Sequence, residues 1–235
     1  MVSRYQLRNN YLISLFLLIL TPSVFAWDDE REQAMELTPD LDNGAKIYQI
    51  CATCHHDSGW ADGSDISRQH KPGFFPQIAG QHNNVIIKQL ADIREGNRDN
   101  PMMYPFTLDK YIGGVQGIAD VSAYISGLKP NENNNIGNGL YLELGKTLYQ
   151  KNCKKCHGVN GEGSNAEFYP KIQGQHYNYL LRQFIWIRDN RRRNANKKMV
   201  EQIRSFSYQE MMAVIDYVSR LKPSIKDKEK TKGEK

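Results

Sequence analysis

Apolar side chains recur along this chain at intervals of three and four residues, which is the spacing of one buried face of an α-helix. Residues 86–93 follow this spacing in the first half of the chain, and residues 180–187 follow it in the second. A further helix is predicted to begin at Ser207, because Ser207 and Glu210 form an S-x-x-E capping box. Its buried face is marked by Met211, Ile215, Val218 and Leu221. Since no segment shows the strict alternation of a half-buried strand, the sequence predicts an all-α fold.

The chain contains an internal repeat. The string FFPQIAGQHN at 74–83 returns as FYPKIQGQHY at 168–177, an offset of 94 residues. Two more blocks occur in the same order in both halves: residues 44–56 match 145–158, and residues 118–130 match 212–223. We therefore predict two tandem copies of one domain.

The copies meet where Pro130 is followed by a polar, asparagine-rich stretch without apolar periodicity. This places the first domain at 27–130 and the second at 131–223. The remaining residues, 224–235, are charged and have no apolar face, so we predict a disordered tail.

Residues 1–26 have the pattern of a secretory signal peptide. Arg4 and Arg8 supply the positive region, residues 11–20 form an apolar core, and Ala26 is the small residue before the expected cleavage point. This pattern predicts export to the periplasm. An uncleaved membrane anchor is the competing interpretation, although the apolar run is shorter than the ~20 residues of a membrane span.

Composition and charge narrow the functional class. The mean hydropathy of -0.64 excludes a multi-span membrane protein. The formal charge of +5 is weak for a nucleic-acid-binding protein, so no nucleic-acid partner is expected. The charge is unevenly divided: residues 27–130 carry 9 basic and 15 acidic side chains, whereas residues 131–235 carry 20 and 11. The first domain is therefore acidic, at −6, and the second domain together with the charged tail is basic, at +9.

All four cysteines lie in two C-x-x-C-H motifs, CATCH at 51–55 and CKKCH at 153–157. This motif is the covalent attachment signature of a c-type haem. Two thiols three positions apart reach the two vinyl groups of one porphyrin, and the adjacent histidine reaches the iron. The predicted thioether residues are Cys51, Cys54, Cys153 and Cys156, and the predicted iron ligands are His55 and His157. We therefore predict two covalently bound haem c groups.

Three other uses of such cysteines fit this sequence less well. A redox-active C-x-x-C disulfide belongs to a fold of alternating strands and helices, which this sequence does not predict. A zinc site built from two C-x-x-C pairs usually has spacers of about 15–20 residues, whereas Cys54 and Cys153 are 99 positions apart. Two simple disulfides would not require the histidines.

With these motifs the chain resembles the di-haem cytochrome c4 family, and it is similar to the cytochrome subunit of flavocytochrome c sulfide dehydrogenases. The resemblance covers about 45–130 and 140–222, with both C-x-x-C-H motifs, the Pro-x-Ile-x-Gly-Gln strings at 76–81 and 170–175, and a methionine before each last helix. It implies two tandem class I cytochrome c domains, all-helical, that transfer electrons in the periplasm.

The resemblance also implies a methionine as the sixth iron ligand of each haem. In the second domain this is Met199. In the first domain Met103 is preferred over its neighbour Met102, because the family usually ligates through the second of such a pair. His82 and His176 occupy equal places in the repeat, so bis-histidine ligation is an alternative to an ordinary position at a helix start.

Four further residues are expected around the haems. Pro76 and Pro170 match the family proline whose carbonyl accepts the Nδ1–H of the axial histidine. Arg94 and Arg188 coincide in the repeat and are candidates for pairing with haem propionates, as are Arg98 and Arg192. Ordinary loop prolines and solvated helix-end arginines are the alternatives.

These features predict an electron carrier of a respiratory chain, not an enzyme. Its donor and acceptor would be redox proteins such as a quinol-oxidising complex, a terminal oxidase or a dehydrogenase, with possible docking to membrane complexes. A dedicated cytochrome subunit of a periplasmic dehydrogenase is the close alternative, so the chain is expected as a monomer or as part of a hetero-complex. The alternative from a different functional class is an enzyme that acts at one haem, and it would need an iron with an open sixth position.

Overall fold

A computed structural model describes residues 29–61 and 73–222. The predicted signal peptide and the predicted charged tail lie outside these residues. Within the described ranges, Ser164 and Tyr169 form an isolated antiparallel bridge, and every longer regular element is helical. The prediction of an all-α fold is thereby confirmed. No helix among the described residues is long and apolar enough to cross a membrane.

The helices form two successive sets, separated by the coil that contains the predicted boundary after Pro130. The first set is α1 (Glu30–Glu36), α2 (Leu41–His55), α3 (Asn83–Arg94), a 3-10 turn (Tyr104–Thr107), α4 (Asp109–Ile112) and α5 (Gly114–Gly127). The second set is α6 (Leu142–Asn152), α7 (Lys154–His157), α8 (Tyr177–Arg188), α9 (Lys197–Ile203) and α10 (Tyr208–Ser219).

In each domain, the helix that leads into the C-x-x-C-H motif crosses closely over the last helix of the domain. In the first domain α2 packs on α5, and in the second α6 packs on α10. The crossings are made at Gly44 and Gly145. A Cβ atom at Gly44 would lie less than 3.0 Å from the backbone carbonyl of Asp120, and one at Gly145 would lie equally close to that of Ala213. The two backbones therefore approach to a distance that only glycine permits.

The predicted apolar faces fill two separate cores, one in each domain. Ile86 and Ile93 of α3 are buried in the first core, and Leu180 of α8 is buried in the second. Met211 is fully buried on α10, so this methionine is a core residue, as its helix position predicts. The capping box is also present, with both the Ser207 and the Glu210 side chains bonded to the backbone of the first turn.

Candidate haem sites

The first C-x-x-C-H motif forms the last turns of α2. Cys51 and Cys54 are three residues apart on the helix, so their side chains lie on neighbouring turns of one face. Cys51 packs against the domain core, and burial raises the pKa of its thiol to about 11. The helix ends immediately afterwards, because His56 adopts a positive φ of 65°. The whole first motif therefore lies on one helix, which ends directly after His55.

The second motif has a different backbone. Helix α6 ends at Asn152, Cys153 lies between two helices, and the short helix α7 carries Cys156 and His157. Cys153 packs against the second core, and burial raises the pKa of its thiol to about 12. Cys156, in contrast, is exposed. No disulfide joins any of these four cysteines to another.

The carbonyl oxygen of a proline orients the histidine of each C-x-x-C-H motif. Nδ1 of His55 donates to the carbonyl oxygen of Pro76 at 3.0 Å, and Nδ1 of His157 donates to that of Pro170 at 3.4 Å. Burial lowers the pKa of both histidines, so both rings are neutral near pH 7. Since a carbonyl only accepts, Nδ1 carries the proton and the lone pair of Nε2 is available to a metal.

A buried tyrosine in each domain bonds the backbone directly after the C-x-x-C-H motif. The Tyr48 hydroxyl donates to the carbonyl oxygen of His56 at 2.7 Å, and the Tyr149 hydroxyl donates to that of Gly158 at the same distance. Burial raises the pKa of both phenols, which therefore remain protonated donors. The signal for this role in the sequence is the tyrosine that occupies equal positions of the two copies.

The candidate methionines differ in exposure. Met102 is 49% exposed, whereas Met103 is half-buried at the start of the 3-10 turn. Met199 lies on α9 and packs partly buried against the second core. Ligation by Met103 and Met199 stays a prediction, and a half-buried thioether suits it better than the exposed one of Met102.

The predicted propionate partners Arg94 and Arg188 have other partners in the structure. Arg94 bonds Glu30 at 2.8 Å and Asp109 at 2.5 Å, and donates to the carbonyl oxygen of Thr107 at 2.9 Å. Arg188 bonds its neighbour Asp189 at 2.7 Å. Pairing of these two arginines with propionates stays a prediction, and in the first domain it would compete with two carboxylates.

Arg98 and Arg192 instead meet across the domain interface. Arg98 donates to Gln89 at 2.8 Å and to Gln183 and Tyr179 at 3.4 Å, while Arg192 donates to Gln183 at 3.0 Å and to Gln89 at 2.7 Å. Desolvation, with the nearby charge of Arg98, lowers the pKa of Arg192 to about 10. Two guanidinium groups that lie close together at the domain interface favour an anionic neighbour. Pairing of Arg98 and Arg192 with propionates remains a prediction with this physical reason.

His82 and His176 also bridge the domains. Each precedes the first residue of a helix, α3 or α8. Nε2 of His82 donates to the carbonyl oxygen of Glu162 at 2.8 Å, and Nε2 of His176 donates to that of Trp60 at 2.8 Å. These bonds engage the nitrogen that bis-histidine ligation would need, so the structure gives both rings an interface role.

The residues present fit two separate covalent haems. Each motif offers two thiols on adjoining turns, a neutral histidine with a free Nε2 lone pair, and a half-buried methionine in the same domain. Among the described residues, no three His, Cys, Asp or Glu side chains converge into a group that could hold a bare metal ion.

Comparison with known proteins agrees with this arrangement. The sequence model of the cytochrome c family matches residues 41–129 and again residues 142–222. The chain is 27% identical over 190 residues to cytochrome c4 of Azotobacter vinelandii, a match that covers 73% of this chain and 84% of that protein. It is 30% identical over 200 residues to the thiosulfate dehydrogenase electron acceptor of Stutzerimonas stutzeri, covering 76% of this chain and 86% of that protein.

The fold has a counterpart among solved structures. The crystal structure of reduced recombinant cytochrome c4 from Pseudomonas stutzeri superimposes with a TM-score of 0.66 at 26% identity. The superposition covers 79% of this chain and all of that one. The two chains therefore share the paired-domain arrangement as well as the single-domain fold.

Proposed function

Because the chain belongs to the cytochrome c family and carries two copies of its domain, we propose that it is a periplasmic electron carrier of a respiratory chain. The predicted resemblance to di-haem cytochromes c4 is confirmed. The protein binds two haem c groups covalently and transfers electrons. The observation that carries this function is the doubled C-x-x-C-H motif, with each histidine held by a proline carbonyl.

The residues divide the work in the same way in both domains. In the first, Cys51 and Cys54 form the thioethers, while His55 and Met103 ligate the iron. In the second, Cys153 and Cys156 form the thioethers, while His157 and Met199 ligate the iron. A haem iron with His and Met ligands cycles between its ferric and ferrous states without an open coordination position. The protein chain supplies binding, ligand orientation and the local electrostatics.

This assignment predicts that the reduced protein does not bind carbon monoxide at either haem, because both sixth positions are held by a thioether. The measurement is the Soret spectrum of the reduced protein before and after saturation with the gas. Catalysis at one haem would instead require an open or easily displaced position. A carbon-monoxide complex at one of the two haems would therefore contradict the carrier function and favour the enzyme.

A dedicated electron acceptor of a dehydrogenase is the second candidate. It is favoured by the 30% identity to a protein named as a thiosulfate dehydrogenase electron acceptor. Isolation of the protein from its native periplasm distinguishes the two functions. A stable complex with a dehydrogenase supports the subunit, and a free di-haem protein supports the carrier.

The second haem is proposed as the site that meets negatively charged partners. Lys154 and Lys155 lie between the two cysteines of the second motif, and both are exposed. The first motif has Ala52 and Thr53 at these positions. Lys197 and Lys198 are also exposed in the second domain. Positive charge at a haem edge attracts an anionic redox partner and raises its encounter rate.

Replacing Lys154 and Lys155 together with glutamate is expected to slow oxidation by ferricyanide, a small anionic oxidant, about tenfold at low ionic strength. The difference should shrink as salt screens the field. Stopped-flow oxidation of the reduced protein measures the rate. Lys46→Glu together with Lys129→Glu, an equal change of charge at two exposed lysines of the first domain, is the matched control. A rate that is independent of salt and equal in all three proteins would refute the docking assignment.

A further inference from the structure

The two domains hold each other through a pair of glutamines. Gln175 of the second domain makes two hydrogen bonds to the backbone of Gln77 in the first. Its Oε1 accepts from the Gln77 N–H at 2.9 Å, and its Nε2 donates to the Gln77 carbonyl oxygen at 2.7 Å. Both side chains are buried, at 7% exposure each. The contact is therefore shielded from solvent, and its two hydrogen bonds fix the orientation of the Gln175 side chain.

The same contact occurs in the opposite direction. Gln81 of the first domain accepts from the Lys171 N–H of the second domain and donates to the Lys171 carbonyl oxygen, both at 2.9 Å. Gln81 and Gln175 are equivalent in the 94-residue repeat, and so are residues 77 and 171. The two glutamines are thus related by a pseudo-twofold symmetry between the domains.

The bonded peptide groups are those that orient the axial histidines. The peptide unit between Pro76 and Gln77 has its carbonyl oxygen bonded to His55 of its own domain and its N–H bonded to Gln175 of the other. An N–H that donates to a good acceptor polarises its peptide group, so the carbonyl of that group becomes a stronger acceptor. The hydrogen bond that the Gln77 N–H donates to Gln175 therefore strengthens the bond that holds the His55 ring.

We propose that Gln175 is a positioning residue for the axial histidine of the first haem and Gln81 for that of the second, each acting across the domain interface. The proposal rests on ligation by His55 and His157 in the proposed function. A stronger Nδ1–H bond makes the imidazole a more basic ligand, which stabilises ferric iron. Each domain thereby lowers the reduction potential of the haem in the other.

The two halves of this arrangement are not equal. The His55–Pro76 bond is 3.0 Å long, whereas the His157–Pro170 bond is 3.4 Å. The return bonds do not differ: the Gln77 side chain donates to the Gly174 carbonyl oxygen at 2.7 Å, and Nζ of Lys171 donates to the Gly80 carbonyl oxygen at 2.7 Å. The first haem is therefore expected to respond more strongly than the second to loss of its cross-domain glutamine.

The test is a redox titration of the haem-loaded Gln175→Leu protein, with the two haems resolved by their methyl proton resonances. At a fixed solution potential, the reduced-to-oxidised ratio of the haem on Cys51 and Cys54 should rise about two- to threefold, because one polarising hydrogen bond is lost. The other haem should stay unchanged. Gln81→Leu should give the mirrored result, with a smaller rise confined to the haem on Cys153 and Cys156.

Gln116→Leu is the matched control. This glutamine also makes two side-chain hydrogen bonds, to Thr38 and Asp120, but it does not touch the Pro76–Gln77 peptide. It should leave both haems at their original potentials. Should Gln175→Leu yield no folded protein, Gln81→Leu decides the proposal in the opposite domain.

Amide hydrogen exchange provides a readout that does not depend on the iron. The Gln77 N–H should be protected in the wild-type protein and exchange faster in Gln175→Leu. Faster exchange with unchanged potentials would overturn the proposal while leaving the carrier function intact. An equal shift of both haems, or a shift confined to the haem of the altered domain, would also overturn it.

Discussion

Replacing Met199 with alanine is expected to remove about half of the weak red-region absorption band that marks methionine sulfur on ferric haem. The reason is that Met199 would supply the sulfur ligand of one haem out of two, and alanine has no ligating atom. The same variant should bind carbon monoxide at one haem after reduction, since its sixth position is then open. Absorption spectra of the oxidised and reduced protein measure both effects.

Two variants in the first domain form the matched comparison. Met103→Ala should cause the same half-loss of the band, whereas Met102→Ala should leave the spectrum intact, because its side chain is 49% exposed. The opposite outcome for this pair would move the ligand to Met102. An unchanged band in Met199→Ala would refute methionine ligation in the second domain.

Replacing Gly145 with alanine is expected to destabilise the second domain by about 3 kcal/mol, at the upper end of ordinary overpacking costs. A Cβ atom at this position would lie less than 3.0 Å from the Ala213 carbonyl oxygen, so α6 and α10 would have to move apart. A change of this size lowers the melting temperature of a domain of about 100 residues by roughly 12–24 °C. Thermal unfolding followed by far-UV circular dichroism measures the shift.

Gly127→Ala is the control for this substitution. Gly127 is the last residue of α5, and no atom outside its own neighbourhood lies within 4 Å of an added Cβ. Alanine should leave stability unchanged or raise it slightly, because it is the better helix former. Equal melting temperatures for the Gly145 and Gly127 variants would mean that the crossing is not the tight contact described above.

The features that could be predicted from the sequence depend on residues close together in the chain. The C-x-x-C-H motifs place two thiols and a histidine within five residues, so their chemistry follows from short-range spacing, although only the first motif lies on one helix. The apolar faces of α3 and α8 and the Ser207–Glu210 capping box are equally local. The domain repeat is visible because its blocks keep their order, and the resemblance to the di-haem family implies the role of Pro76 and Pro170 as acceptors for the axial histidines.

The choices that needed the tertiary structure involve residues far apart in the sequence. Arg94 is a candidate propionate partner from its repeat position, and only the fold shows that Glu30 and Asp109 lie beside it. The sequence offers His82 as an iron ligand or as a helix-start residue, and only the docked domains show that its Nε2 bonds the Glu162 carbonyl oxygen.

The sequence by itself determined two covalent haem sites in two helical domains, because thioether attachment and helix formation depend on short-range spacing. Only the tertiary structure decided how the two domains contact each other. Gln81 and Gln175 are strongly polar and stand next to a turn glycine, a position at which a solvated side chain is the ordinary expectation. Their role depends on two domain surfaces meeting with one relative orientation, in which each glutamine satisfies the buried backbone of the opposite domain. Such a match of donors and acceptors across an interface has no periodicity or spacing in the sequence that could indicate it.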